Sequence, residues 1–447
     1  MRKHWMTSTP ALGLLVFALA LPSTVLDAED WPHWRGPSAS GVSPERGLPT
    51  RWSDTENVAW KAEIRGLGVS SPIVSRDLVF VTSQAGAGVV RPGPRLVQGG
   101  NPAEAGERPL GGAAASGDGK AVFLVTAFDR SNGRTRWVYE LPAEGDLPAV
   151  HEKHNLASPS PVTDGERVYA WFATGQIAAI DTAGKLAWKK NLGAEYGAFA
   201  INWGHGSSPI VHNGQLILLC YHDKASYLLA LDARTGALRW KQDTTAGVTS
   251  YSTPLVVQAG DKTEIVVNSS VGISGHDFST GAKLWHFTED NRFPVPTPLA
   301  HDGIVYMSRG YRSSPFMAIR PGGTGDIAGT HVLWRVASGA PYISSPILYE
   351  GLLYMTGDVG VLTVSDAKTG ERVHQERVGG VYTASPVAAD GKVYLVSEDG
   401  ETIVLSAGRT PAVVARNRLS ARQLASPAIA GGRLFIRADN TLFAIGK

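Results

Sequence analysis

Three groups of side chains in this sequence could carry chemistry. The run His151-Glu152-Lys153-His154 offers two imidazoles, but a structural zinc site takes four ligands and no third one stands at a fixed spacing nearby. No metal is expected there. Asp358, Glu398 and Asp399 are carboxylates in turn-rich stretches, the residue type that serves as general acid or base. The third group mixes flat rings with forked or neutral donors: His154, Asn155, Trp203, His205, Tyr251, Arg309, Tyr342, Tyr382 and Arg422. Gathered at one place, such residues would stack on a sugar and grip an anion. No Gly-x-Ser-x-Gly elbow and no phosphate loop occurs.

What must position these residues is a chain of 447 residues, 43% apolar and 18% charged, with 51 Gly and 27 Pro. That length suits several domains or one large closed repeat, and the apolar share is ample for a core. Lys plus Arg (42) nearly balances Asp plus Glu (40), so no basic field argues for nucleic acid. Abundant Gly and Trp with few long helix-forming runs favour turns and strands.

Arg2, Lys3 and His4 precede the apolar run Ala11 to Leu21, followed by Pro22, Ser23 and Ala28. This pattern predicts a secretory signal peptide over residues 1–28, too short in its apolar part to span a bilayer, which needs roughly 20 residues. The mature chain is then a soluble extracytoplasmic protein, in the periplasm or secreted. Its single cysteine, Cys220, lies in the apolar run Leu216 to Tyr221 and reads as a buried, inert thiol without a disulfide partner.

Internal repetition organises the remainder. A Ser/Thr-Pro pair followed by apolar residues recurs at Pro72, Pro159, Pro209, Pro254, Pro298, Pro346, Pro386 and Pro427. Asp-Gly or Asn-Gly turns follow, as at Asp164-Gly165 and Asp390-Gly391, where Gly supplies the positive φ of a tight hairpin. A second signature runs from an Asp to a Gly to a Trp: Asp129, Gly133, Trp137; Asp181, Gly184, Trp188; Asp232, Gly236, Trp240; Asp277, Gly281, Trp285. The Asp accepts local backbone N–H groups, and the Trp fills the wedge between neighbouring units.

Each period holds four short strands, so the chain reads as an all-β, eight-bladed propeller of four-stranded antiparallel blades over residues 58–447. The last unit has room for three strands and lacks its Trp strand. Val58 to Ile64, which contains Trp60, is predicted to supply the fourth and close the ring. Residues 29–57 form an N-terminal extended segment. The long first gap reflects a Gly- and Pro-rich flexible loop insertion over 84–120. Units five to seven drift from the pattern: Arg320 takes the Asp place and His374 takes the Trp place.

In a propeller, the segments leading into the inner strands share one face with the turns between second and third strands. The lead-in segments bring His151, His154, Asn155, Asn202, Trp203 and His205 to that face. Tyr251, Arg292, Tyr342, Tyr382, Arg422 and Gln423 follow further round. The turns add His222, Asp223, Arg309, Tyr311, Arg312, Asp358, Glu398 and Asp399.

These units resemble the pyrroloquinoline-quinone (PQQ)-like repeat family, whose tryptophan-docking motif A-x-D-x-x-T-G-x-x-x-W is met in full by Ala230 to Gly236 with Trp240. The opening Trp31-Pro32-His33-Trp34-Arg35-Gly36-Pro37 is similar to the start of many secreted bacterial members. The resemblance implies the quinoprotein alcohol dehydrogenase-like propeller fold and leaves three functions open. The first, nearest to the BamB-like members, is a non-catalytic binding or scaffold propeller for an envelope or extracellular protein or a glycan, monomeric and without cofactor. The second is a PQQ- and Ca²⁺-dependent alcohol or sugar oxidoreductase. The third is a carbohydrate-active enzyme using the loop face. One cysteine cannot form the disulfide that many family dehydrogenases pack against the quinone, and no lipidated N-terminal cysteine of the assembly scaffolds is present.

Overall fold

A computed structural model of the chain describes Met1 and residues 30–86, 121–148, 150–151, 153–311 and 314–446. Apart from Met1, the predicted signal peptide lies outside the described residues, as does Arg312. The strand Leu78–Ala85 runs two residues into the stretch read as an insertion, and 87–120 lie outside the described residues.

The strands form eight sheets, each an antiparallel blade. Blades one to seven span residues 73–142, 162–191, 210–243, 255–288, 299–336, 347–377 and 387–418. Blade eight combines 428–445 with the strand Val58–Glu63, which pairs antiparallel with Thr441–Ile445. The predicted closure of the ring is therefore present. Blade four carries a fifth strand, Gly325–Asp326, set parallel against its outer strand Lys283–Thr288.

The Ser/Thr-Pro pairs have a specific task. The backbone N–H of Ser71 donates to the hydroxyl of Ser160, that of Ser160 to Ser208, and that of Ser208 to Thr253. The same step repeats through Thr297, Ser345 and Ser385 to Ser426, at 2.8–3.2 Å throughout. This belt stitches the inner strands together where neighbouring sheets share no ladder, and it satisfies buried backbone donors. It also corrects the repeat register. In blade two the belt uses Ser160-Pro161, not Ser158-Pro159; Ser158 instead closes a turn with Asn155.

The outer strands are locked by tryptophan. The indole N–H groups of Trp60, Trp137, Trp188, Trp240 and Trp334 donate to the carbonyls of Arg130, Thr182, Ala233, Phe278 and Ala367. Each acceptor directly follows the turn Asp of the next blade. The ring lies where a Cβ of the turn glycine would stand, 2.5–2.7 Å from it at Gly133, Gly184, Gly236, Gly281 and Gly370. Only glycine can occupy those sites, which also have positive φ. Blade five has no such turn, and Trp285 folds back over Gly275 with its N–H on buried Glu264. Loss of the docking turn thus reshapes the preceding Trp.

Residues 30–57 cross the lower face, the one carrying the turns between first and second strands. Trp31 bridges Val74 of blade one, Pro32 accepts from Thr163 of blade two, and Arg35 donates to the Pro346 carbonyl beside blade six (2.5 Å). Val42 then bridges Ala388 of blade seven, and Glu45 accepts from Gly431 and Gly432 of blade eight.

Candidate ligand-binding mouth

The opposite, upper face carries the lead-in segments and the turns between second and third strands, as predicted. Its two halves differ. On one side Lys153 Nζ lies 2.8 Å from Glu398 Oε1, and Arg422 Nη2 lies 3.2 Å from Oε2. Thr383 donates its hydroxyl to the same carboxylate at 2.6 Å. Lys153 leads into blade two and Glu398 belongs to blade seven. These blades are not neighbours, so the ion pair spans the mouth.

Burial acts to raise the Glu398 pKa, but hydrogen bonds from Lys153, Thr383 and Arg422 outweigh it and hold the carboxyl ionised. Asp358 goes the other way. Burial pushes it up to about 6, despite the N–H of Ile343 and the charge of Lys153. One carboxylate is thus fixed as an anion while its neighbour titrates near neutrality.

Aromatic rings line the other side. Trp203 is 37% exposed and sits at φ 77, a costly conformation for a bulky residue. His151 meets it edge-on at 5.2 Å and donates its backbone N–H to the Trp203 carbonyl at 3.0 Å. From Trp203 the rings continue to Phe293 (6.4 Å), Tyr311 (4.9 Å) and Tyr342 (5.4 Å). Tyr251 joins at Phe293, its hydroxyl donating to the Asn202 carbonyl. The result is an aromatic ledge contributed by consecutive blades. Beside the ion cluster, between the segments that lead into blades one, two and eight, a cavity of about 20 Å³ is lined by Lys153, His154, Arg422 and Arg437, enough for about one water.

Not every predicted residue faces this space. Trp203, Tyr251, Tyr342 and Arg422 do. Asn155 is buried, its side-chain oxygen spent on the Ala157 N–H at 2.8 Å. His205 is fully buried against Trp171 (4.5 Å) and Phe199 (5.2 Å). Arg309 is fully buried and clamps the Asn268 side chain and the carbonyls of Gly272 and Glu289. Tyr382 is 1% exposed. These four support the face from beneath rather than presenting groups on it. His154 is half-buried with both ring nitrogens covered and lacking partners. Burial, then the nearby His151, pushes its pKa down to about 3. Lys153, Phe293 and Thr383 were missed as site residues, although each adjoins one that was named.

Among the described residues no group of three His, Cys, Asp or Glu could hold a metal ion. At the mouth both oxygens of Glu398 are already engaged by cations.

A family profile described as "Outer membrane protein assembly factor BamB" matches residues 121–326 and 323–409, well over half the chain. The chain belongs to this family. A tetrathionate hydrolase of Acidithiobacillus ferrooxidans is 27% identical over 293 residues, covering 61% of this chain and 53% of that one. BamB of Yersinia pestis is 20% identical over 315 residues, covering 70% and 66%. The chain thus spans about half the length of the hydrolase. Among solved structures, quinohemoprotein alcohol dehydrogenase from Comamonas testosteroni aligns with a TM-score of 0.66 at 12% identity, over 94% of this chain and 81% of that one. At such identity the likeness is one of fold. Among the described residues no helix is long and apolar enough to cross a membrane.

Proposed function

We propose that this chain is an extracytoplasmic binding and scaffold propeller that receives a protein or glycan partner on its upper face. The aromatic ledge carries this reading. Partly exposed rings packed on one another, with Trp203 fixed at a strained φ, present stacking surface with little left to order on binding, and the family profile is that of an assembly factor. The cross-mouth pair Lys153–Glu398 makes that face a rigid platform. A glycan array and purified outer-membrane assembly proteins, probed with the full chain and with Trp203→Ala, test it. Replacing a central aromatic anchor costs about 2 kcal/mol or more, so binding weakens by about thirtyfold. The melting temperature holds, because the residue is exposed and strained. Equal binding by the variant, or saturable PQQ binding with Ca²⁺ and dye reduction, overturns the reading.

One observation favours a second reading, hydrolysis at the same mouth. Paired carboxylates whose environments push their pKa values apart are how acid and base roles are assigned, and Asp358 and Glu398 are such a pair. The hydrolase relative makes tetrathionate the substrate to try. On this reading Asp358 is the acid: turnover rises as pH falls toward about 6 and vanishes in Asp358→Asn. No loss of tetrathionate at that pH discards it.

A further inference from the structure

The lower face holds a cleft of about 1210 Å³ between residues 30–39 and the inner strands of blades two to four. It is larger than the 300–1,000 Å³ typical of small-molecule pockets. Its floor is apolar, formed by Val162, Pro209, Ile210, Pro254 and Leu255. The surroundings are cationic: Arg35, Arg76, Arg130, Arg167, Arg234 and Arg239 line it.

The four acidic residues there, Asp30, Asp164, Glu166 and Asp232, offset this charge only in part. Glu166 pairs with Arg167 and Asp232 with Arg239. Asp30 accepts from the Ser75 hydroxyl and the Arg76 N–H. Asp164 accepts from the Tyr169 hydroxyl and from two backbone N–H groups of its own turn. Arg76 and Arg234 are exposed and make no ion pair among the described residues. Arg35 is buried and serves the fold: it stacks on Trp34 and donates to the carbonyls of Ser40 and Pro346. The free charge of the cleft is that of Arg76 and Arg234, and an anion seated on the apolar floor between them would meet it.

We infer that this cleft binds an acidic peptide segment, with its apolar side chains on the floor and its carboxylates against the arginines. The site is separate from the upper face. A propeller engaged at both faces would hold two partners at once, one above the channel and one below it.

The test is fluorescence anisotropy of the full chain with a labelled peptide of alternating Glu and Leu. The wild type binds it in a salt-sensitive manner. The double charge reversal Arg76→Glu with Arg234→Glu weakens binding by about tenfold or more while its melting temperature holds. Trp203→Ala leaves the affinity unchanged, which separates this site from the mouth. The inference falls if the reversal binds as the wild type does, or if no binding occurs. It also falls if polyglutamate or phosphatidylglycerol vesicles bind as tightly, since charge alone or a lipid surface would then account for the arginines.

Discussion

Acidification from pH 7 to pH 5 will cost this fold on the order of 10 kcal/mol, as much as the entire stability of many domains. The cause is a set of histidines taken out of water by the fold. Burial pushes His154 and His205 down to about 3, and His33, His222 and His276 to about 4. Unfolded, each titrates near its ordinary 6.5. The folded state therefore binds fewer protons, so stability is full above about pH 6.5 and falls as pH drops toward the folded values. At pH 5 each histidine withdraws about 2 kcal/mol. Asp358, raised to about 6, works in the opposite sense but returns only about 1 kcal/mol. Urea midpoints at pH 7, 6 and 5 measure the effect, and His205→Phe, whose ring suits the Trp171 and Phe199 surroundings, will flatten the profile. Equal midpoints at pH 7 and 5 would remove the argument.

Trp60→Ala should be the most damaging single truncation in the ring, costing about 3–5 kcal/mol. The side chain is 7% exposed, its N–H holds the Arg130 carbonyl at 2.9 Å, and its ring packs against Gly133 and Phe435. Its strand completes blade eight, so the loss opens the seam between the first and last blades. Hydrogen exchange in Thr441–Ile445 will rise with the drop in melting temperature. Trp334→Ala, the same truncation within the continuous part of the ring, serves as the comparison and should leave that strand protected. A loss below about 1 kcal/mol for Trp60→Ala would mean that the seam is held by the strand ladder alone.

The blades, their strand order and the closing strand were legible because they rest on local signals: Gly at forced turns, apolar runs after recurring Ser/Thr-Pro pairs, and Trp at a fixed distance from Asp and Gly. The register error in blade two arose where two Ser-Pro pairs stand side by side. Only the belt, a contact between residues tens of positions apart, distinguishes Ser160 from Ser158. The mouth was legible as a face but not as a surface. Repeat position brings His205 and Arg309 there, but their burial depends on Trp171, Phe199 and Asn268 in neighbouring blades. The reach of Lys153 to a carboxylate 245 residues away leaves no trace in either local sequence.

The closing strand imposes an order on biosynthesis. Val58–Glu63 is made early, but its pairing partner Thr441–Ile445 comes more than 370 residues later. At typical elongation rates the early strand waits roughly 20–80 s for that partner. Throughout that interval it is an unpaired edge carrying a large aromatic side chain, the kind of segment that seeds misassembly. Seven blades can form without that strand, but the ring closes only when Thr441–Ile445 meets Val58–Glu63. A chain that stops short of Thr441–Ile445 would leave Val58–Glu63 without its partner, giving a quality-control step a single seam to inspect.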